Sequence, residues 1–313
     1  MSLDGIDRLL LDALRRDGRA SFEELGRSAG VSRTAARARV QRMVEAEVVR
    51  IETVLHPAVH GISTVAHVSV VVVDGAAREV ANHLAGQDEC PLVSLVAGQF
   101  MVIAELRTSS VSRLEEQLRR VRALGGVTAL DTLLYTDIVK DPYLPLGRPD
   151  EFPVFALDDV DLRLLELLQE RPRMAYNDLS AAAQLSRGTA RARVGRLLDR
   201  GVVAVTGLAT SAAADAHAMC GFELHLGGGP DPITALTELP QVDFLARTLG
   251  RCDAVGTIVA TDSARVGQVL TEMSGVPGVQ AVEAWWHLEL VKERYGPPRS
   301  EHATKGRYGP PLG

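Results

Sequence analysis

Two serine-led, arginine-rich segments carry the side chains best suited to binding a charged partner. Positions 32–43 read SRTAARARVQRM and positions 186–197 read SRGTARARVGRL, with eight of twelve positions identical at an offset of 154. A guanidinium group presents a planar fork of N–H donors, which matches phosphate oxygens and the acceptor edge of guanine. A serine before a helix caps it and leaves further backbone N–H groups for an anion. The pattern therefore indicates two related nucleic-acid-binding surfaces.

The residues predicted to contact double-stranded DNA lie on the polar side of these segments. In the first copy they are Ser32, Arg33, Thr34, Arg37, Arg39, Gln41 and Arg42. In the second copy they are Ser186, Arg187, Thr189, Arg191, Arg193 and Arg196. Arginines on a helix face are often merely solvated, but both copies keep serine and arginine at the same positions. An alternative for Arg39 and Arg193 is an ion pair with an acid of the first helix, such as Asp7 or Asp161.

Two shorter helical patterns precede each arginine-rich segment. Asp4 and Asp7 have the spacing of a capping box, and a second helix is predicted near Phe22–Ser28. Apolar residues of the first helix recur at i, i+4, i+7 and i+8, as Ile6, Leu10, Ala13 and Leu14, and as Val160, Leu164, Leu167 and Leu168. Two helices, a tight turn and an amphipathic third helix form the pattern of a helix-turn-helix domain, whose second motif helix enters the major groove.

After each predicted helix-turn-helix domain, the pattern changes to alternating strands and helices in the order βαββαβ, the ferredoxin-like arrangement. The first copy predicts strands at 65–73, 92–97, 100–107 and 127–139, with helices at 76–85 and 111–123. The second copy predicts strands near 219–226, 242–249, 253–261 and 279–291. A single open sheet leaves one face uncovered, so we expect the two modules to face each other sheet to sheet. The fold class is α+β, written as two tandem repeats.

The repeat divides the 313 residues into six predicted parts. They are a helix-turn-helix domain (1–60), a ferredoxin-like domain (61–140), a proline-rich linker (141–156), a second helix-turn-helix domain (157–212), a second ferredoxin-like domain (213–293) and a disordered tail (294–313). The tail repeats the sequence RYGPP at 294–298 and 307–311, for which a partner motif is the alternative to a mobile end.

Charge and composition bound the class of protein. Residues 1–60 and residues 157–210 each carry a net charge of +1. Since the whole chain carries −6, the remaining residues carry −8. This distribution fits local phosphate contacts on two arginine-rich surfaces. The sequence shows neither a membrane-spanning apolar run nor a signal peptide. Three scattered cysteines predict no disulfide framework and no metal site, and they are consistent with a reduced, cytoplasmic protein.

These motifs together resemble the leucine-responsive regulatory protein/AsnC family of transcription regulators. The resemblance covers about nine-tenths of the chain, because the family's pattern occurs once in each of the two repeats. It implies that the ferredoxin-like modules pair and bind a small effector, commonly an amino acid, beside a Gly-x-x-Asp turn between the second and third strands. The second repeat keeps this turn as Gly250 to Asp253, whereas the first has Gly98 to Met101 and lacks the acid. The implied effector-binding positions are Gly98, Met101, Thr132, Gly250, Asp253 and Ala284.

Several interpretations of these turns stay open. The two repeats either build one composite effector site, or one repeat has lost binding, or Gly98 and Gly250 are only turn glycines. We expect a sequence-specific regulator that needs no cofactor and forms a pseudo-dimer within one chain, with half-sites ~10 bp apart. Association of further copies is open.

Two rival functions remain. The first is a siroheme decarboxylase-like enzyme of heme biosynthesis, because those enzymes share this two-module architecture. Such an enzyme needs His and Arg side chains on the sheets, but the histidines there match no repeated position: His67, His217, His225 and His287. The second rival is a ligand-binding protein whose DNA-reading heads have decayed.

Overall fold

The computed structural model describes residues 3–141, 156–209 and 218–293, and it shows one unit built twice. Each unit is a three-helix head followed by an α/β module, so the predicted α+β tandem repeat is confirmed. Most of the predicted linker, the junction around residue 212 and the tail with its repeated motif lie outside the described residues.

The first and third helices of each head begin where the capping residues predict. The first head contains α1 (Gly5–Arg16), α2 (Phe22–Ala29) and α3 (Arg33–Glu45). The second contains α6 (Asp159–Glu170), α7 (Tyr176–Ala182) and α8 (Arg187–Asp199). The Asp4 carboxylate accepts a hydrogen bond from the Asp7 backbone N–H at 2.8 Å, and the Asp7 carboxylate accepts one from the Asp4 N–H, which completes the predicted capping box.

Aliphatic side chains fill the centre of each head. Leu10, Leu14, Leu25 and Met43 are fully buried in the first head, and the same positions of the second head hold apolar residues. Burying one such side chain stabilises a fold by roughly 1.5–3 kcal/mol, so this shared apolar core helps to hold the three short helices together. The outer faces of α3 and α8 are thereby left to solvent.

A two-stranded antiparallel sheet joins the heads, and the sequence did not predict it. Strand β1 (Val49–Leu55) pairs with β6 (Val203–Ala209) along its whole length, from Val49 opposite Ala209 to Leu55 opposite Val203. A short 3-10 helix (Pro57–His60) then leads from β1 into the first α/β module.

The α/β modules have the predicted order of elements. The strands of the first are β2 (Thr64–Val72), β3 (Leu92–Ala97), β4 (Val102–Thr108) and β5 (Val127–Lys140), with helices α4 (Ala77–Ala85) and α5 (Val111–Arg122). The strands of the second are β7 (Ala218–Leu226), β8 (Val242–Leu249), β9 (Ala254–Ala260) and β10 (Val279–Glu293), with helices α9 (Ile233–Thr237) and α10 (Ser263–Ser274).

The eight strands form one closed barrel rather than two separate sheets that face each other. Strand β5 continues past its own module to pair with β8, and β10 continues to pair with β3. The far ends of both strands are tied down, because Lys140 Nζ donates to the Thr237 carbonyl at 2.8 Å and Lys292 Nζ donates to the Gln87 carbonyl at 2.6 Å. Closing the barrel pairs the edges that two open sheets would leave exposed.

Other structural expectations concern membranes, cysteines and metals. Within the described ranges, no helix combines the length and apolar character needed to span a bilayer. Cys90, Cys220 and Cys252 are buried free thiols. The described part of the chain contains no cluster of His, Cys, Asp and Glu side chains that could bind a metal ion.

Candidate nucleic-acid and effector sites

Ion pairs fix the third helix of each head to the first. Arg39 Nη1 donates to Asp4 at 2.7 Å and to Asp7 at 2.8 Å, while Arg42 lies 3.2 Å from Asp7, whose side chain is only 2% exposed. The second head repeats this arrangement with Arg193 and Arg196 around Asp158 and Asp161. Arg39 and Arg193 therefore form the ion pairs that were the alternative to DNA contact, and Arg42 and Arg196 form such pairs as well.

The Asp4 and Asp158 carboxylates of these clusters have lowered pKa values. Hydrogen bonds from the Asp7 backbone N–H and then from Arg39 hold the pKa of Asp4 below its ordinary value. Arg193 and then the Asp161 backbone N–H lower the pKa of Asp158 in the same way. The Arg42 side chain is 53% exposed and the Arg196 side chain is 49% exposed. The outer N–H groups of these paired arginines therefore remain accessible to a phosphate.

The other predicted DNA-binding residues divide into caps and outward-facing side chains. Ser32 Oγ accepts from the Ala35 N–H at 3.2 Å, and Ser186 Oγ accepts from the Thr189 N–H at 3.1 Å, so both serines cap their helices. The Thr189 hydroxyl bonds to Ser186. The outward-facing set, of which only Arg37 is half-buried, is Arg33, Thr34, Arg37, Gln41, Arg187 and Arg191.

Two arginines that the sequence analysis missed lock the heads to each other. Arg19 donates to the carbonyls of Pro172 and Met174 at 2.6 and 2.8 Å, and Arg173 donates to the Ala20 carbonyl at 2.6 Å. Each guanidinium also lies over an aromatic ring of the opposite head, Tyr176 at 5.2 Å and Phe22 at 4.9 Å. The signal was available, since Arg19 and Arg173 are repeat equivalents. The heads therefore have a fixed relative orientation.

The predicted effector residues form two groups, each drawn from both repeats. A Cβ atom on Gly250 would lie 3.1 Å from the Thr132 carbonyl oxygen, so the β8–β9 turn with Asp253 packs directly on β5 of the other repeat. A Cβ atom on Gly98 would lie 3.1 Å from the Trp285 Cβ, so the β3–β4 turn packs on β10, next to Ala284. Both glycines thus permit a close approach between the repeats.

The group around Gly250 is the more polar of the two. Asp253 Oδ2 accepts from the Leu226 backbone N–H at 2.7 Å, and Thr132 Oγ1 is buried without a hydrogen-bond partner among the described residues. The group around Gly98 offers Met101, which packs against the core under the helices, and an exposed Ala284. It therefore lacks a charged partner for an ammonium group.

Arg251, within the β8–β9 turn, was not predicted as a site residue. Its guanidinium contacts the carboxylates of Asp131 and Glu223 and lies 5.0 Å from the Phe100 ring of the opposite turn. Burial raises the pKa of Glu223 to about 7, although the neighbouring Arg251 lowers it. The turn of the second repeat is consequently bound to the barrel by charge as well as by packing.

The interior of the barrel holds the remaining histidines of interest. The Trp285 ring lies 5.7 Å from the His67 ring and 6.4 Å from the His287 ring. His67 bonds to Ser69 at 3.1 Å and His287 bonds to Ser94 at 2.9 Å. Burial lowers the pKa of His67 to about 3 and that of His287 to about 4, so both are neutral near pH 7.

A cavity of about 50 Å³ lies beside these rings. Sites for drug-sized ligands occupy ≈ 300–1,000 Å³, so this space suits water rather than a tetrapyrrole. His225 contacts Glu283 at 3.3 Å, and His217 lies outside the described residues.

Comparison with known proteins gives consistent matches to DNA-binding regulators. An AsnC-type helix-turn-helix family model matches residues 3–44, and a winged helix-turn-helix DNA-binding model matches residues 157–204. The chain is 30% identical to the transcriptional regulator LrpA of Mycobacterium tuberculosis over 145 residues, which cover 45% of this chain and 95% of LrpA. It is 29% identical to an uncharacterized HTH-type transcriptional regulator of Pyrococcus furiosus, over 45% of this chain and 97% of that protein.

Among solved structures, the siroheme decarboxylase NirDL has a similar fold over nearly the whole chain. The TM-score is 0.64 at 14% sequence identity, with 95% of this chain and 96% of NirDL covered. This likeness supports the tandem architecture and is too distant in sequence to carry an activity.

Proposed function

The chain belongs to the Lrp/AsnC family of transcription regulators, and we propose that it is a single-chain pseudo-dimer whose two heads bind one DNA site under the control of an amino-acid-like effector. Its two helix-turn-helix domains make it a DNA-binding protein. The observation that carries the proposal is the fixed pair of heads, because Arg19, Arg173 and the β1–β6 sheet hold α3 and α8 in one orientation. Such a pair suits two half-sites one helical turn apart, ~10 bp.

The proposed DNA contacts fall into two classes. Arg33, Arg37, Arg187 and Arg191 lie near the N-terminal ends of α3 and α8, where side chains of a recognition helix reach base edges. The arginines paired with Asp7 and Asp161 are proposed to position the helix and to contact phosphate with their outer N–H groups.

Gel-shift titration on DNA selected by the protein tests this assignment. Arg37→Ala and Arg191→Ala should each weaken binding by about 1–3 kcal/mol if these arginines contact bases. Arg119→Ala, an exposed arginine on α5, serves as the matched control. Unchanged affinity in both head variants would remove these arginines from the interface, and binding to no DNA at all would favour a ligand-binding protein with decayed heads.

The effector is proposed to bind between the repeats at the turn that carries Gly250 and Asp253. Three features support this location: the close packing of the turn on β5, the unpartnered Thr132 hydroxyl, and a carboxylate for an ammonium group. Thermal unfolding with a panel of amino acids should reveal a stabilising ligand. Asp253→Asn and Thr132→Val should reduce the stabilisation, whereas the corresponding changes Met101→Leu and Ala284→Ser should preserve it.

The decarboxylase alternative has less support. The cavity beside His67 and His287 is several-fold smaller than an ordinary ligand site, and the Trp285 ring lies within 6.4 Å of both histidine rings. Anaerobic incubation with siroheme followed by mass analysis tests it directly. Association of further copies stays a prediction, which sedimentation of the intact chain at several concentrations would measure.

A further inference from the structure

The two recognition helices share one framework and differ on the face opposite the core. Ala36, Val40 and Met43 of α3 are buried, as are the equivalent Ala190, Val194 and Leu197 of α8. The same arginine–aspartate clusters attach both helices to the first helix of their heads. Both helices are therefore presented by their heads in the same way.

The outermost stripe of each helix recurs at i, i+4, i+7 and i+11, which is one face of a helix. On α3 it holds Thr34, Ala38, Gln41 and Glu45. On α8 it holds Gly188, Ala192, Gly195 and Asp199. At the two positions best able to hydrogen-bond with base edges, the second helix has no side chain at all.

The missing side chains leave a shallow depression of about 540 Å³ along α8. It is lined by the stripe residues and by Arg191, Arg196 and Arg200. A depression bordered by guanidinium groups suits a sugar-phosphate strand, which binds arginine whatever the base sequence. Gln41 can instead bond an adenine edge in a bidentate way, and the Thr34 methyl group can contact that of thymine.

We propose that the two heads read DNA unequally, with α3 specifying bases through Thr34 and Gln41 while α8 contributes mainly sequence-independent contacts. This inference rests on the proposed function. It predicts a binding site with one strongly constrained half and one weakly constrained half.

Selection from a random DNA library with the full chain and two double variants tests the proposal. Thr34→Ala with Gln41→Ala should relax the constrained half-site, lowering its discrimination against a wrong base by about 5- to 150-fold. Gly188→Thr with Gly195→Gln should instead make the weak half-site more selective for particular bases. Gln268→Ala, an exposed glutamine of α10, is the matched control and should leave both half-sites unchanged.

The glycine variants should fold. A Cβ atom on Gly195 meets no atom within 4 Å, and one on Gly188 meets only Ser186 Oγ at 3.9 Å. Replacing glycine inside a helix also favours the helix, which thermal unfolding would confirm.

Three results would overturn the inference alone: equal half-sites in the wild type, an unchanged base preference in the Thr34/Gln41 variant, or an unchanged base preference at the weak half-site in the glycine variant. Sequence-independent binding by the wild type would overturn both this inference and the proposed binding to one DNA site. Failure to bind any DNA would overturn the proposed function with it.

Discussion

The guanidinium of Arg39 donates a hydrogen bond to the carboxylate of Asp7 across 2.8 Å and so joins the third helix of the first head to the first helix. The same carboxylate belongs to the capping box of α1 and is almost completely buried. One aspartate therefore defines the start of one helix and the position of another. Because the second head repeats the arrangement with Asp161 and Arg193, the orientation of both recognition helices depends on a buried acid.

Replacing that acid should loosen the recognition helix. In Asp7→Asn the amide keeps one acceptor oxygen but loses the charge that Arg39 and Arg42 both contact. We expect the first head to lose about 2 kcal/mol, which is less than the ~3–5 kcal/mol typical of a broken buried pair because the arginines are partly solvated. The measurement is the midpoint of urea unfolding, monitored by circular dichroism.

Asp12→Asn, which changes an exposed residue of the same helix, is the control and should leave the midpoint in place. Asp161→Asn should act on the second head in the same way as Asp7→Asn acts on the first. Equal effects of Asp7→Asn and Asp12→Asn would contradict a special role for the buried cluster.

One cross-strand pair in the interior of the barrel has side chains of different sizes in the two repeats. Trp285 pairs across strands with Gly221, and a Cβ atom on Gly221 would lie 2.1 Å from the indole ring. At the equivalent pair of the first repeat, Leu133 lies opposite His67. A large residue beside a small one thus replaces two residues of middle size.

Gly221→Ala should destabilise the protein by about 1–3 kcal/mol, because the added methyl group overlaps the Trp285 ring. In a Trp285→Leu background, which installs the side chain found at position 133, the same substitution should cost much less. Thermal unfolding of the wild type, both single variants and the double variant gives the coupling energy. Additive effects would show that the cost of the added methyl group does not come from the Trp285 ring.

Local signals determined most of the fold. The strands at Leu92–Ala97 and Val242–Leu249 match their predicted bounds, because each apolar run ends at a glycine turn. Capping residues placed the first and third helices of each head in the same way. These features depend on neighbours within a few residues, which is the range that sequence patterns report.

Long-range pairing was the part that the sequence could not supply. Nothing local distinguishes β1 as the partner of β6, or shows that β5 and β10 extend to close a barrel. At the candidate sites, the sequence identified the arginines but not the Asp7 contact of Arg42 or the role of Arg19 between the heads. Each of these contacts joins elements that the turn and strand geometry brings together only in three dimensions.

The buried His67 should make stability depend on pH. Burial lowers its pKa to about 3 in the folded protein, whereas an unfolded histidine titrates near 6.5. Between these values the unfolded state binds more protons, so stability is complete above pH 6.5 and is lost as the pH falls. At pH 5 the loss from this one residue is about 2 kcal/mol.

The test compares the wild type with His67→Gln, which stays neutral at every pH. The difference in unfolding free energy between the two proteins should shift in favour of the variant by about 2 kcal/mol from pH 7 to pH 5. His287 is common to both proteins and cancels in this comparison. A constant difference over this range would mean that His67 is solvated, with an ordinary pKa.

The contacts between the heads should matter for a complete binding site and not for half of one. Arg19 and Arg173 each hydrogen-bond to the backbone of the opposite head and stack on its aromatic ring. Without them only the β1–β6 sheet joins the heads, so the separation of the two recognition helices is less tightly fixed and ordering them on DNA costs entropy. Arg19→Ala with Arg173→Ala should therefore weaken binding to a two-half-site duplex by about tenfold. Affinity for a single half-site, measured by fluorescence anisotropy, should be unchanged.

Arg163→Ala, an exposed arginine of α6, is the matched control. If both duplexes lost affinity equally, Arg19 and Arg173 would be DNA contacts themselves rather than the link that sets the spacing of the heads.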